Sequence, residues 1–199
     1  MWIALCGPTG TSKQKIVEYL KKDFEFEKYE FPIEENLPAF DKILTLLIKH
    51  QERQFRIHED MKDSSILTVR SIWDVSEVFS KVMFKRQEIS KEQYNWITKY
   101  VSAVTDCLKP PSAIIYMKPV SKMASYNRIL MKEGEVDQTL FDLMAEAYEE
   151  FMGKLGIPVV EIDHGSYIDE ILKQIEYGVS SLKTSALTED SIWTRRMFK

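Results

Sequence analysis

Cysteine and histidine are scarce in this chain, basic residues are not in excess, and long apolar runs are missing. Two cysteines, Cys6 and Cys107, occur in 199 residues, and neither belongs to a C-x-x-C pair. No disulfide framework and no cysteine-based zinc site is expected. His50, His58 and His164 show no ligand spacing, so no metal site is expected and surface or supporting roles are the default. The formal net charge of −4 gives no basic footprint for duplex nucleic acid. No apolar stretch approaches the roughly 18 residues of a membrane span, and no basic segment precedes the short apolar start. A cytoplasmic protein of a reducing compartment, without membrane association, is therefore expected. What remains is ordinary for a folded domain: 44% hydrophobic and 29% charged residues, enough for one core. No internal repeat, low-complexity tract or linker interrupts it.

The first informative segment comes at once. Met1-Trp2-Ile3-Ala4-Leu5-Cys6 runs into Gly7-Pro8-Thr9-Gly10-Thr11-Ser12-Lys13-Gln14. A phosphate-binding P-loop asks for G-x-x-x-x-G-K-[ST] between a strand and a helix. Gly7, Gly10 and Lys13 keep that spacing, with Thr11 inside the loop, while Ser12 replaces the last glycine and Gln14 the hydroxyl residue. The loop amides and the following helix N-terminus can still hold an anion, and Lys13 supplies a cation. Ser12 narrows the close approach of backbone and phosphate. Gln14 removes the hydroxyl that would sit on Mg²⁺, which puts a Mg²⁺ site in doubt while leaving ATP as the expected cofactor.

Strands and helices alternate along the rest of the chain, as a parallel α/β sheet requires. Lys13–Lys22 reads as an amphipathic helix with Ile16, Val17 and Leu20 on one face. Phe24–Phe31 is a candidate second strand, followed by a long helical pattern over Leu37–Met61. Ser65–Val69 is a short strand, and Ile72–Lys85 and Lys91–Leu108 are helical. Ala113–Met117 is the clearest buried strand. Val120–Lys132 and Thr139–Leu155 are helices around a break at Gly134, and Ile157–Ile162 and Tyr167–Gly178 complete the alternation. The reading is one domain over residues 1–178 and a separate tail over 179–199.

The order of this loop, Tyr29-Glu30-Phe31-Pro32-Ile33-Glu34-Glu35-Asn36, Val69-Arg70-Ser71 and Ile114-Ile115-Tyr116-Met117-Lys118-Pro119-Val120 resembles the deoxynucleoside kinases over about residues 1–178. The resemblance implies a P-loop kinase fold, with a five-stranded parallel sheet and helices on both faces. It also implies ATP at the P-loop, a nucleoside or nucleotide in the adjacent cleft, and an arginine-rich lid. Thymidylate kinases share the plan and are the nearest alternative. Against the family pattern several groups are changed. Phe31 stands where the family has an acidic general base. Glu30 is a neighbour that strand alternation turns to the opposite face unless the strand is bulged. Val69 replaces the carboxylate before the motif arginine, which survives as Arg70. Asp74 lies close by, but inside the next helix, and is not promoted. In the lid stretch Arg128 is kept, Lys132 is a point charge without a bidentate fork, and Gly134 falls where another arginine is expected. Counting back from Arg70 places Leu46 near the amide that reads the base. Gln51 and Gln54 are possible substitutes, each more often a solvated helix residue.

Arg70, Arg128 and Glu30 are thus the candidate catalytic residues. Gly7, Gly10, Thr11, Ser12, Lys13, Gln14 and Lys132 are the candidates for binding ATP. Because phosphoryl transfer needs positioned charges together, these losses lead to a kinase-like protein with weak or lost phosphotransfer, retained for nucleotide binding or assembly. An active ATP-dependent nucleoside kinase is the alternative. The tail ends Ile192-Trp193-Thr194-Arg195-Arg196-Met197-Phe198-Lys199. Trp and Arg are favoured interface anchors, so the tail is read as a docking segment for a homodimer or larger assembly, or as a strap folded on its own domain.

Overall fold

The computed structural model describes residues 1–11, 13–20, 25–26, 36–60, 66–119 and 121–163, together with 170, 173–175, 177–178 and 180. Ser12, Glu30, Phe31, Glu34, Glu35 and the segment 181–199, with Trp193 and Phe198, lie outside the described residues.

Five parallel strands form one sheet in the order β2-β3-β1-β4-β5. They are β1 (Trp2–Cys6), β2 (Glu25–Phe26), β3 (Ile66–Val69), β4 (Ala113–Lys118) and β5 (Val159–Asp163). β1 is central, pairing Leu5 with Val69 of β3 on one side and with Ile115 of β4 on the other. Its five residues are all buried, as a parallel strand covered on both faces must be. The side-chain alternation of period two splits the core. Ile3 and Leu5 meet α1 (Lys13–Leu20) through Ile16, Val17 and Leu20. Trp2, Ala4 and Cys6 face the larger layer, built from α2 (Ala39–Asp60), α4 (Lys91–Thr105), α6 (Gln138–Lys154) and the segment between β3 and α4. The five-stranded sheet with helices on both faces is as expected.

One expected element is described only in part, and one differs from the sequence reading. Strand geometry in β2 covers Glu25–Phe26 within the expected Phe24–Phe31, and residues 27–31 lie outside the described residues. The helix expected over Ile72–Lys85 is wound as a π-helix over Asp74–Ser80, followed by α3 (Lys81–Lys85). In the π-helix Asp74, Val75, Ser76, Val78 and Ser80 are all buried. It packs against α2, α4 and α6, with only Glu77 and Phe79 partly exposed, so little solvent face is left to keep a helical period legible. Ser80 Oγ donates to the carbonyl of Ser76 at 2.5 Å, satisfying one polar group inside this crowded layer.

α5 (Lys122–Glu133) is bounded by two devices. Ser121 caps its N-terminus by accepting from the N–H of Ala124 at 3.2 Å, and Gly134 ends it in the left-handed conformation, φ +80°. Gly134, read as a lost lid arginine, is thus the residue that stops the helix.

The loop after β1 is fixed by glycine. Gly7 has φ +139°, and a Cβ there would lie 2.7 Å from the backbone oxygen of Met117 on β4. Gly7→Ala is expected to cost about 3 kcal/mol from the strained φ and the clash together. Urea denaturation checks it, and a loss below about 1 kcal/mol would contradict the close-approach reading.

Candidate functional site

The β1–α1 loop, the turn after β3, the π-helix and α5 meet at the C-terminal ends of β1, β3 and β4. In an open parallel α/β sheet, ligands are bound outside this edge. Gly10 (φ +81°) lets the loop approach α5, where a Cβ would meet the Ser125 carbonyl oxygen and Ile129 at 3.0 Å. Thr11 is buried, and its hydroxyl donates to the Pro8 carbonyl at 2.7 Å. The first turn of α1 brings N–H groups that have no partner within the helix.

Lys13 turns back over this loop. Its ammonium donates to the carbonyls of Gly7 and Pro8 at 2.8 and 2.5 Å and to Thr11 Oγ1 at 3.1 Å. The stem is partly exposed but the charge is enclosed. Burial of the ammonium, with the neighbouring Arg70 charge, lowers its pKa to about 7. Any phosphate held by Lys13 must take over one of these hydrogen bonds. Gln14 is exposed on the first turn of α1 and leaves the loop clear.

Arg70 sits in a turn clamped from all sides. Its φ of +63° is left-handed, uncommon for a residue with a side chain and costing about 1–3 kcal/mol. The Arg70 N–H donates to the Leu5 carbonyl at 3.0 Å. Its carbonyl accepts from Arg53 at 2.6 Å and from Thr68 Oγ1 at 3.2 Å. The next N–H, of Ser71, donates to Asp74 Oδ2 at 2.8 Å. This places the Arg70 guanidinium 4.6 Å from the centre of the Phe79 ring, a cation–π contact. Nε of Arg70 is buried without a hydrogen-bond partner among the described residues.

Asp74 is the site residue the sequence reading passed over. Its position inside the helix was correctly anticipated, but its side chain is fully buried and organises the region. Oδ2 accepts from Ser71 N, from Ser71 Oγ at 2.7 Å and from Cys6 Sγ at 3.4 Å, and Oδ1 accepts from Tyr148 OH at 2.9 Å. Burial and the Asp74 charge raise the pKa of both the Cys6 thiol and the Tyr148 phenol, so each stays a donor.

On the other side of Phe79 opens a cleft of ≈ 700 Å³. Leu37, Ile43, Leu46, Phe79, Met83 and Leu140 give it apolar walls, with Lys42, Arg86 and Glu88 as its charged groups. Arg86 is held by Glu88 and by Asp137 at 2.7 Å, so its charge is already compensated. Leu46 lines this cleft, where counting back from Arg70 had put a base-reading group. Gln51 and Gln54 do not serve it: Gln54 is buried and donates to the Lys109 carbonyl, and Gln51 accepts from Tyr100 OH. His50 is also buried rather than superficial, with Nδ1 2.8 Å from Arg53, and burial lowers its pKa. Arg128 and Lys132 are exposed on α5, and the Lys132 charge helps to lower the Lys13 pKa.

A strand–loop–helix anion cradle beside an apolar cleft, on the carboxyl edge of a parallel sheet of this order, defines a P-loop nucleotide-binding protein of the kinase type. A sequence model described as "Deoxynucleoside kinase" matches residues 3–180, and the chain belongs to the deoxynucleoside kinase family. Its fold is similar to solved structures of deoxyadenosine kinase from M. mycoides. The form with bound dATP aligns at TM-score 0.70 and 20% identity, over 90% of this chain and 100% of that one. The form with bound dCTP gives TM-score 0.68 and 22% identity, over 91% and 100%. The form with products dCMP and a flexible dCDP gives 0.66 and 22%, over 92% and 100%. Comparison with curated protein sequences found no match.

The family uses ATP as phosphate donor, and the loop suits a phosphate through its glycines, helix amides and lysine. No group of three His, Cys, Asp or Glu side chains among the described residues could hold a metal, Gln14 is exposed, and both oxygens of Asp74 are engaged.

Proposed function

We propose that this protein binds a nucleotide or nucleoside in the family's manner while transferring phosphate weakly or not at all. The observation that carries this reading is the saturation of Asp74. Asp74 is a carboxylate that bears on the charge of Lys13, and four protein donors occupy it. No described carboxylate in the cradle is left to accept a proton from a substrate hydroxyl or to hold a metal ion. Val69, at the end of β3, packs on the apolar layer under α1 and supplies no charge. What remains is binding chemistry: Lys13 and the loop amides for phosphate, Arg70 and its free Nε for an anionic or polar group, with Arg128 and Lys132 on the lid helix and Gln14 at its rim. The M. mycoides structures with dATP and dCTP support a deoxynucleotide as the ligand class.

The active-kinase reading is favoured by one observation. The cleft beside Phe79 is large enough for a nucleoside and is not filled by the protein's own side chains. In that reading Glu30, outside the described residues, is the base. A radiolabelled-ATP assay over a panel of nucleosides and nucleoside monophosphates separates the two, run beside Phe31→Glu and Gln14→Ser. The expected result is nucleotide binding by calorimetry, turnover at least about 10³-fold below an active kinase, and a gain from the double variant. Ready turnover by the unaltered chain would sink the proposal. We further assign residues 1–178 to one cytoplasmic domain, with 179–199 as an appended tail. No helix among the described residues is long and apolar enough to cross a membrane.

A further inference from the structure

One face of α2 looks into the cleft beside Phe79. Ala39, Lys42, Ile43 and Leu46 all line it, and their i, i+3, i+4, i+7 spacing is that of a single helix face. Ile43 is buried and Leu46 half-buried, so this wall is apolar except at Lys42. Phe79 and Met83 add apolar surface from the π-helix and α3. A pocket of this kind holds a flat ring by its walls and chooses among rings by its few polar groups.

The polar groups here are unequal. Arg86 is bound by Glu88 and by Asp137 at 2.7 Å, so both charged groups of that wall are engaged with protein. Lys42 is half-buried, and its ammonium has no ion pair among the described residues. Its place along α2 fixes which end of a ligand it meets. Arg53, further along the same helix, donates to the Arg70 carbonyl at 2.6 Å, on the phosphate side of Phe79. About three turns of helix, roughly 16 Å, separate Lys42 from that level. A nucleotide with its phosphates at Lys13 and Arg70 therefore extends its base toward Lys42. The exocyclic group farthest from the sugar is a carbonyl oxygen in thymine and guanine and an amine in cytosine and adenine. An ammonium carries three donors and no acceptor. Against an exocyclic amine it sets donor against donor beside apolar walls, where unpaired polar groups are costly.

We propose that Lys42 is the specificity-determining residue of this cleft, donating to the exocyclic carbonyl of the base, so that the chain selects thymine and guanine deoxynucleotides over those of cytosine and adenine. Leu46, one turn further along α2, offers apolar surface to the ring and no hydrogen bond to its edge. The inference rests on the nucleotide-binding reading above and adds to it the class of base. It requires no phosphate transfer, so it holds for a silent protein and an active kinase alike.

Titration calorimetry of the full chain with dTTP, dCTP, dGTP and dATP tests it. Affinities are compared as dTTP against dCTP and dGTP against dATP, within each variant, so ring size and overall charge cancel. The unaltered protein is expected to bind the carbonyl-bearing member of each pair about tenfold or more tighter. Lys42→Met keeps most of the apolar stem and should bring each pair within about threefold. Lys42→Glu exchanges donors for acceptors near the N-terminus of α2, where a carboxylate suits the helix, and should invert both preferences. Equal affinities in the unaltered chain, or a preference that survives Lys42→Met, overturn the role of Lys42 and leave nucleotide binding standing. Failure of all four to bind overturns the binding reading and this inference with it.

Discussion

Asp74→Ala is expected to lower the unfolding free energy by about 4 kcal/mol, among the larger effects of a single substitution. The carboxylate is the common acceptor for Ser71 N, Ser71 Oγ, Cys6 Sγ and Tyr148 OH, and the site is fully buried. Removing it strands several donors in a dry interior, where each orphan costs about 1–3 kcal/mol, with relaxation keeping the total below their sum. For a chain of this size the loss corresponds to a Tm lower by about 10 °C. Tyr148→Phe, which removes one donor and leaves the acceptor three others, should cost about 1 kcal/mol. Combined with Asp74→Ala it should add less than its own value, because both act on one network. Calorimetric melts of the three variants test this. A shift below about 3 °C for Asp74→Ala would show that the network carries little stability. Its loss should also loosen the Ser71 N–H clamp on the left-handed Arg70, so ligand binding falls with it.

Nucleotide binding is expected to take up a proton above neutral pH, through Lys13. In the free protein the lysine has a pKa of about 7, lowered first by burial and then by Arg70. A bound phosphate supplies the missing counter-charge and returns the pKa toward its ordinary value. Between about pH 7 and 10 the free site is therefore neutral and the occupied site charged, and affinity falls by up to about tenfold per pH unit. Titration calorimetry at pH 8 in two buffers of different ionisation enthalpy should show uptake of close to one proton. Lys13→Met should abolish that uptake and weaken triphosphate binding by about 100-fold. Equal heats in the two buffers would contradict the assignment. The same shift acts on stability with a definite sign. An unfolded lysine stays protonated up to about pH 10.5, so the unfolded state holds the extra proton between pH 7 and 10.5. Stability gains a rising contribution across that window and none below pH 7.

How much of this was legible in the sequence differs by residue. β1 and its loop could be read directly, because five apolar residues followed by Gly-x-x-Gly-x-x-Lys form a local pattern whose meaning depends on backbone geometry alone. The alternation of elements was legible for the same reason, since period-two and period-3.6 patterns each bury a defined face. Asp74 was not. A residue in a helix reads as solvated or buried according to the face it occupies, and this helix is packed against three others and wound as a π-helix over Asp74–Ser80. Gln54 was misjudged for a related reason: its partner, the Lys109 carbonyl, is distant in sequence and is met only through packing.

The sequence by itself determined the fold family and the anion loop, since these rest on the order and spacing of residues along one chain. Only the tertiary structure decided the state of the charges that remain. It folded Lys13 onto its own loop, where burial brings its pKa close to neutrality. It spent both oxygens of Asp74 on protein donors and left Arg70 Nε without an acceptor among the described residues. Such outcomes depend on which groups from distant segments come within about 3 Å of each other and on how much water is excluded between them. Neither quantity is carried by any single stretch of chain.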